Sequence, residues 1–221
     1  MTNNALFTTS SASPETFDKS PLSEDPSELA VKANIDFVLP RLATGGDLHE
    51  DNEIAGMQLV YLIDQDVDYL LDTRLEASDE EFVAQLDPEM NYLYLPVDDD
   101  GGSMPHSWYE QGTKWVIDAL EESANGKVVV HCHMGINRGP SLTFATMLVM
   151  GHDPVEAIDM IRTARSIANV GYAEAALNWF HISRNIADGK RKENEDALEA
   201  WRLENPHDTK RIIRTIRRAK K

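Results

Sequence analysis

The run Lys127-Val128-Val129-Val130-His131 constrains this chain more than any other segment. Three successive β-branched residues favour a strand over a helix. Because polar side chains do not alternate along it, both faces of that strand must be covered, as in the middle of an α/β sheet. Residues 132–138 then form a loop, and a helix runs to about Met150. Pro140 falls in the first turn of that helix, where its missing N–H goes unmissed. The rest of the body alternates in the same way. Residues 35–42 read as one short strand closed by Gly45-Gly46. A helix spans 52–65, with Ile54, Met57, Val60 and Tyr61 at helical spacing. Strands follow at 67–71 and 92–95. Ser78 with Glu81 reads as a capping box opening a helix to about Leu86, and Ser107 with Glu110 as a second, for a helix to about Ser123. Asp153-Pro154 opens a helix to about Ser166, and 173–187 forms another. The expectation is an α/β fold: a central, mostly parallel sheet of four to five strands flanked by helices.

The flanks differ in texture. Residues 1–33 are rich in Ser, Thr and Pro, with Pro14, Pro21 and Pro26 breaking any pattern, and read as a disordered leader. Residues 34–187 are the globular body. Residues 188–221 read as a helical, basic tail, divided at Asn205-Pro206. The chain carries a net charge of −17. Residues 208–221 hold seven basic groups against Asp208, so residues 1–207 are six charges more negative than the whole. Such a body repels nucleic acid and anionic membranes, and no nucleic-acid partner is expected for it. The tail reads as an amphipathic helix, with Ile212, Ile213 and Ile216 on one side, that docks on its own domain or on a partner. Cys132 is the single cysteine, which fits a reducing, cytoplasmic setting and rules out an internal disulfide. The N-terminus has no basic segment leading into an apolar run, so no signal peptide is expected. No stretch approaches the roughly 18 apolar residues of a membrane span.

The chemistry concentrates in His131-Cys132-His133-Met134-Gly135-Ile136-Asn137-Arg138. In open α/β sheets, ligands bind beyond the carboxyl ends of the strands, where this loop lies. A cysteine there becomes a nucleophile as its thiolate. Converging loop amides, the positive end of the following helix and the fixed charge of Arg138 all favour that form. The same groups would hold a phosphate dianion against the sulfur, with Arg138 gripping two oxygens. Gly135 lets the loop turn tightly. One segment thus offers a nucleophile (Cys132), an oxyanion cradle (His133, Met134, Gly135, Ile136 and Asn137) and a clamp (Arg138).

The segment resembles the His-Cys-five-residues-Arg signature of cysteine-dependent protein tyrosine phosphatases, and its context resembles the dual-specificity branch. The resemblance covers residues 34–187 and implies a protein-tyrosine-phosphatase-like fold. It also implies hydrolysis of phosphotyrosine and phosphoserine or phosphothreonine in proteins through a cysteinyl-phosphate, without metal or cofactor. It assigns the general acid to the loop after Pro96-Val97. The spacing to the next helix favours Asp99, with Asp98 and Asp100 as alternatives. His131 is read, as in the family, as hydrogen-bonding within the loop and tuning the thiolate, and His133 as lining the entrance. Arg162, Arg165 and Asn169 resemble the flank of the pocket, though Arg165 by itself reads as a surface helix arginine. A metal site at His131-Cys132-His133 is disfavoured, because adjacent strand residues face opposite ways.

Where the family places Ser or Thr after the arginine, this chain has Gly139, and Ser141 is expected to face its own helix. The missing hydroxyl predicts slow hydrolysis of the phosphoenzyme and a gain in kcat for Gly139→Ser. With no second cysteine, peroxide is expected to inactivate Cys132. Rival readings are a phosphate-binding module without turnover, a phosphatase for phosphoinositides or RNA 5′ ends, and a sulfur carrier. The loop has no lysine and the body is acidic, which favours a phosphoprotein or phosphopeptide substrate with basic residues around the phosphate. Pre-steady-state mixing with p-nitrophenyl phosphate is expected to give a burst and a slower steady state; a linear trace would contradict slow dephosphorylation.

Overall fold

The computed structural model describes residues 32–219. The leader expected at 1–33 therefore lies, save for its last two residues, outside the described residues, as do Lys220 and Lys221. The elements are β1 (Ile35–Leu39), β2 (Leu42–Gly45), α1 (Asn52–Asp64), β3 (Val67–Arg74), α2 (Glu80–Leu86), β4 (Asn91–Val97), α3 (His106–Glu122), β5 (Lys127–His131), α4 (Arg138–Val149), α5 (Pro154–Ala164), α6 (Ala173–Ser183), α7 (Asp188–Glu204) and α8 (Thr209–Ala219).

The sheet has five strands in the order β1-β2-β5-β3-β4. All neighbours are parallel except β1, which returns antiparallel on β2. The valine run is the middle strand, β5, with Val128 and Val130 facing one core and Val129 the other. That is the period-2 alternation of a strand covered on both sides. One face packs against α3 to α7, and the other against α1 and α2. Leu42, Leu71, Tyr109, Phe144, Ile158 and Leu177 are fully buried on the larger side.

Three local readings are corrected. Residues 35–42 form two strands rather than one, because Pro40 cannot donate to a ladder and the chain turns at Arg41. Arg41 holds that turn by donating from Nε to the Gly126 carbonyl at 2.9 Å and from Nη2 to the Ser123 carbonyl. The first capping box is not formed: Asp79 is the N-cap of α2 and makes no capping bond, because its carboxylate pairs with Arg74 at 2.7 Å. Nor is the second, since α3 starts at His106 after Pro105 and takes Ser107 into its first turn. The Asp153 cap does form, accepting from the amides of Val155 and Glu156.

Helix α7 is part of the same core. Leu198 and Trp201 are buried among the residues of the larger cluster, and Asn194 meets His181 at 3.1 Å. Arg162 lies 5.4 Å over the Trp201 ring, and Arg202 donates to the Val170 carbonyl at 2.7 Å. Among the described residues no helix is long and apolar enough to cross a membrane. Leu198→Ala is expected to cost about 2–4 kcal/mol of global stability in urea unfolding. A change confined to the α7 signal would show instead that α7 unfolds independently.

Candidate active site

The loop leaves the middle of the sheet. Cys132 follows β5, and its amide donates to the Gly45 carbonyl of β2 at 3.2 Å. Within the described residues, the amides of residues 133–137 find no protein acceptor, so they remain available as an anion nest. Gly135 has φ +64°, and a Cβ there would meet the Arg165 guanidinium at 2.5 Å and the Gly45 carbonyl carbon at 2.5 Å. Glycine is therefore required twice over, by conformation and by space.

Arg165 is what crowds it, and here the expected surface arginine is corrected. Arg165 is 3 % exposed. It donates from Nε to the Gly135 carbonyl at 2.7 Å, from Nη2 to the Met134 carbonyl at 3.0 Å and to Asn34 at 3.0 Å, and from Nη1 to Asp36 at 2.7 Å. It lies behind the loop and points its carbonyls backward. The amides of Asn169 and Val170 do the same for the Ile136 carbonyl. With its carbonyls drawn back, the loop turns its N–H groups the other way, toward the cleft.

That cleft, of about 330 Å³, is lined by Cys132, His133, Met134, Ile136, Asn137 and Arg138, with Glu76 and Asp99 from neighbouring loops. Gly135 is the hinge at the back of the loop and does not reach the cleft. Arg138 is the first residue of α4 and its side chain is 5 % exposed. Its Nη1 and Nη2 donate to the two carboxylate oxygens of Glu76 at 2.7 and 2.6 Å, and Nη1 also donates to the Val97 carbonyl at 3.1 Å. The Nε–H is buried and has no hydrogen-bond partner among the described residues. Glu76 thus occupies the end of the guanidinium and leaves the Nε edge for an oxyanion.

Asp99 is the member of the acidic trio that reaches this cleft. Its Oδ1 accepts from the Tyr172 hydroxyl at 2.7 Å and from Asn137 Nδ2 at 3.3 Å, and its Oδ2 lies 3.9 Å from Arg138 Nε. Burial, and then the hydrogen bond to Asp99, push the Tyr172 phenol up to about 12, so it stays a donor at neutral pH. Asn169 donates to Asn137 at 3.2 Å and so braces it from behind. Asp98 is exposed, and Asp100 accepts from the Gly102 amide at 2.7 Å within its own turn.

Among the supporting residues, His131 departs from expectation. His131 does not hydrogen-bond within the loop. Its ring is buried, its Nδ1 has no partner among the described residues, and its Nε2 lies 4.0 Å from Asp72. Burial lowers its pKa and favours the neutral imidazole. Asp72 is buried too, which alone would raise it, but the hydrogen bonds from Arg74 and the charge of that guanidinium prevail and lower it. His133 is partly exposed at the entrance, with Nδ1 2.6 Å from Asp47. Ser141 does not face the sulfur, since its hydroxyl accepts from the Tyr172 amide at 3.2 Å. Gly139 is closely enclosed: a Cβ would lie 3.0 Å from the Val130 carbonyl oxygen and 3.2 Å from the Cys132 amide. The gain expected of Gly139→Ser therefore runs into backbone, which cannot move aside as a flexible side chain would.

The family profile of the dual specificity phosphatase catalytic domain matches residues 52–180. The chain belongs to the dual-specificity phosphatase catalytic-domain family. It is 32 % identical over 80 residues to the tyrosine-protein phosphatase yvh1 of Schizosaccharomyces pombe, covering 36 % of this chain. To human dual specificity protein phosphatase 5 it is 30 % identical over 93 residues, covering 41 % of this chain. In each case the match spans 24 % of the relative's length. The crystal structure of human DUSP28 superposes with a TM-score of 0.55 at 19 % identity, over 68 % of this chain and 95 % of that one. That likeness carries the fold. Among the described residues of this phosphatase domain, no cluster of three or more His, Cys, Asp or Glu could hold a metal ion.

Glu76 and Tyr172 were not found by sequence reasoning. Glu76 lies just past β3 in no recognisable motif, and only the pairing of β3 with β5 sets it against Arg138. Hydrogen bonding from Arg138, against an opposing effect of burial, lowers the Glu76 pKa from 4.5 to about 2. A carboxylate depressed on folding stabilises the fold above its unfolded value, near 4.5, and that contribution fades as pH falls toward 2. Because Glu76 is 47 % exposed, the contribution is modest. In acid titrations followed by circular dichroism, Glu76→Gln is expected to lose less stability than the parent between pH 4.5 and 2. Parallel curves would show that the pair adds nothing to stability.

Proposed function

We propose that this domain is a cysteine-dependent phosphatase that hydrolyses phosphotyrosine and phosphoserine or phosphothreonine in proteins through a cysteinyl-phosphate. One observation carries the reading: a cysteine, the unpaired loop amides and the unpartnered Nε–H of Arg138 border one cleft, with Asp99 among its lining residues.

In the first step, the Cys132 sulfur attacks phosphorus in line with the ester oxygen. The new S–P bond forms as the P–O bond breaks. The amides of residues 133–137 and the Nε edge of Arg138 hold the equatorial oxygens, supplying in fixed dipoles the charge that water would otherwise provide. Asp99, protonated, passes its proton to the departing oxygen. In the second step, Asp99 as carboxylate takes a proton from water, which attacks phosphorus and releases the sulfur as thiolate. Tyr172 and Asn137 position that carboxyl at the cleft. Glu76 orients Arg138 rather than reacting. Slow release of the sulfur follows from Gly139, which offers no hydroxyl beside it, and from Ser141, whose hydroxyl is engaged elsewhere. The reading requires no metal or cofactor, and a reducing cytoplasmic compartment would keep Cys132 active.

The test is hydrolysis of p-nitrophenyl phosphate and of phosphopeptides across pH. Cys132→Ser is expected to abolish turnover while retaining binding. Asp99→Asn is expected to lower kcat about 100-fold and to remove the alkaline limb of the profile. Turnover surviving in Cys132→Ser would overturn the mechanism, and a flattened limb in Asp98→Asn or Asp100→Asn would move the acid by one place.

A further inference from the structure

In the basic tail, Ile212, Ile213 and Ile216 are half-buried while the described basic side chains are exposed. Helix α8 follows α7, which is fastened to the core through Leu198 and Trp201, and it begins at Asp208, whose carboxylate accepts from the Arg211 amide at 2.9 Å. Ile212 and Ile216, one turn apart, face Ile167 in the turn between α5 and α6. The adjacent edge of the helix presents Ile213 and Arg217, also one turn apart, and these two line the same cleft as Cys132 and Arg138. The expectation of a tail with three isoleucines on one docked face is thus only partly met, since Ile213 belongs to the active-site wall.

The charges around the cleft make Arg217 informative. Glu76 and Asp99 bring two carboxylates to the wall. Arg138 is engaged by Glu76, and His133 by Asp47. Among the described residues lining the cleft, Arg217 is the cation that no carboxylate engages. It is exposed and stands beside an apolar residue at the mouth.

We propose that α8 is the substrate-selecting wall of this cleft and that Arg217 binds a second anionic group beside the phosphate being hydrolysed. The substrate class is a phosphopeptide with an acidic residue, or a second phosphoryl group, next to the phosphorylated residue. This rests on the phosphatase reading and reverses the sequence expectation of basic flanks, which followed from the net charge of the body alone. The body still disfavours an anionic bilayer, because residues 1–207 are more negative than the chain's −17. A single arginine beside an isoleucine suits an extended peptide, whose side chains alternate between acidic and apolar contacts.

The experiment measures binding in a Cys132→Ser background of the full chain, so that it does not depend on turnover. The probes are two fluorescent phosphotyrosine peptides, identical except for glutamate or glutamine beside the phosphotyrosine. The acidic peptide is expected to bind up to about fivefold more tightly, as befits an exposed ion pair, with the preference shrinking as salt rises. Arg217→Gln is expected to remove the preference. Arg218→Gln, which alters the net charge equally but does not line the cleft, is expected to keep it. Three outcomes would overturn the proposal: a preference that survives Arg217→Gln, an equal loss in both variants, or tighter binding of both peptides once Arg217 is gone, which would make α8 a cover. Tighter binding of a short-chain phosphoinositide than of the acidic peptide would overturn the peptide assignment. Turnover of p-nitrophenyl phosphate by the parent chain is scored separately: its absence would sink the catalytic reading, while the binding comparison would still decide the role of Arg217.

Discussion

The buried guanidinium of Arg165 holds the loop in the shape that gives it chemistry. A six-residue turn from a central strand to a helix has no ladder of its own, and its carbonyls need donors. Arg165 donates to two of them, Met134 and Gly135, and is anchored through Asp36 and Asn34 to the first strand. With those carbonyls held, the amides of residues 133–137 have no protein acceptor within the described residues, the arrangement of a backbone nest. Gly135 is the counterpart of this clamp, since any side chain there would occupy the place of the guanidinium.

Arg138 and Asp99 are set at the cleft by the same device, a side chain fixed by its neighbours. Arg138 is aligned by Glu76 and keeps its Nε edge open. Asp99 is aligned by Tyr172 and Asn137, and Asn137 in turn by Asn169. Groups held in this way lose little freedom when a phosphate enters, which is the physical content of preorganisation. Beneath the loop, Asp72, Arg74, Asp79 and Tyr92 form a buried polar network against His131. One guanidinium, Arg74, serves both Asp72 and Asp79, so removing it would leave two carboxylates without their partner.

The segment beyond the family match carries structure of its own. Leu198 and Trp201 bury α7 in the larger core, and α8, which follows it, lines the cleft with Ile213 and Arg217. Net charge argued for basic substrates, but the strongly basic helix α8 contributes Ile213 and Arg217 to the lining of the cleft. Electrostatics at a binding site is local: with a screening length of about 8 Å in physiological salt, a neighbouring arginine outweighs distant carboxylates.

The sequence by itself determined the class of fold and singled out the loop that lines the cleft. The valine run required a strand covered on both faces, and Cys132, Gly135 and Arg138 carry their chemistry in residue type and spacing. The spacing favoured Asp99, with Asp98 and Asp100 left open, and Asp99 is the one of the three that lines the cleft. What only the tertiary structure decided came from residues far apart in the chain: the burial of Arg165, the pairing of Glu76 with Arg138, the neutral His131 against Asp72, and Arg217 at the cleft. Local periodicity reports which face of an element is apolar, but not which element will cover it. Pairing of β3 with β5 and packing of α7 on the core brought these side chains together, and no local pattern records contacts made across such distances along the chain, as in the Arg138–Glu76 separation of 62 and the Arg165–Asn34 separation of 131.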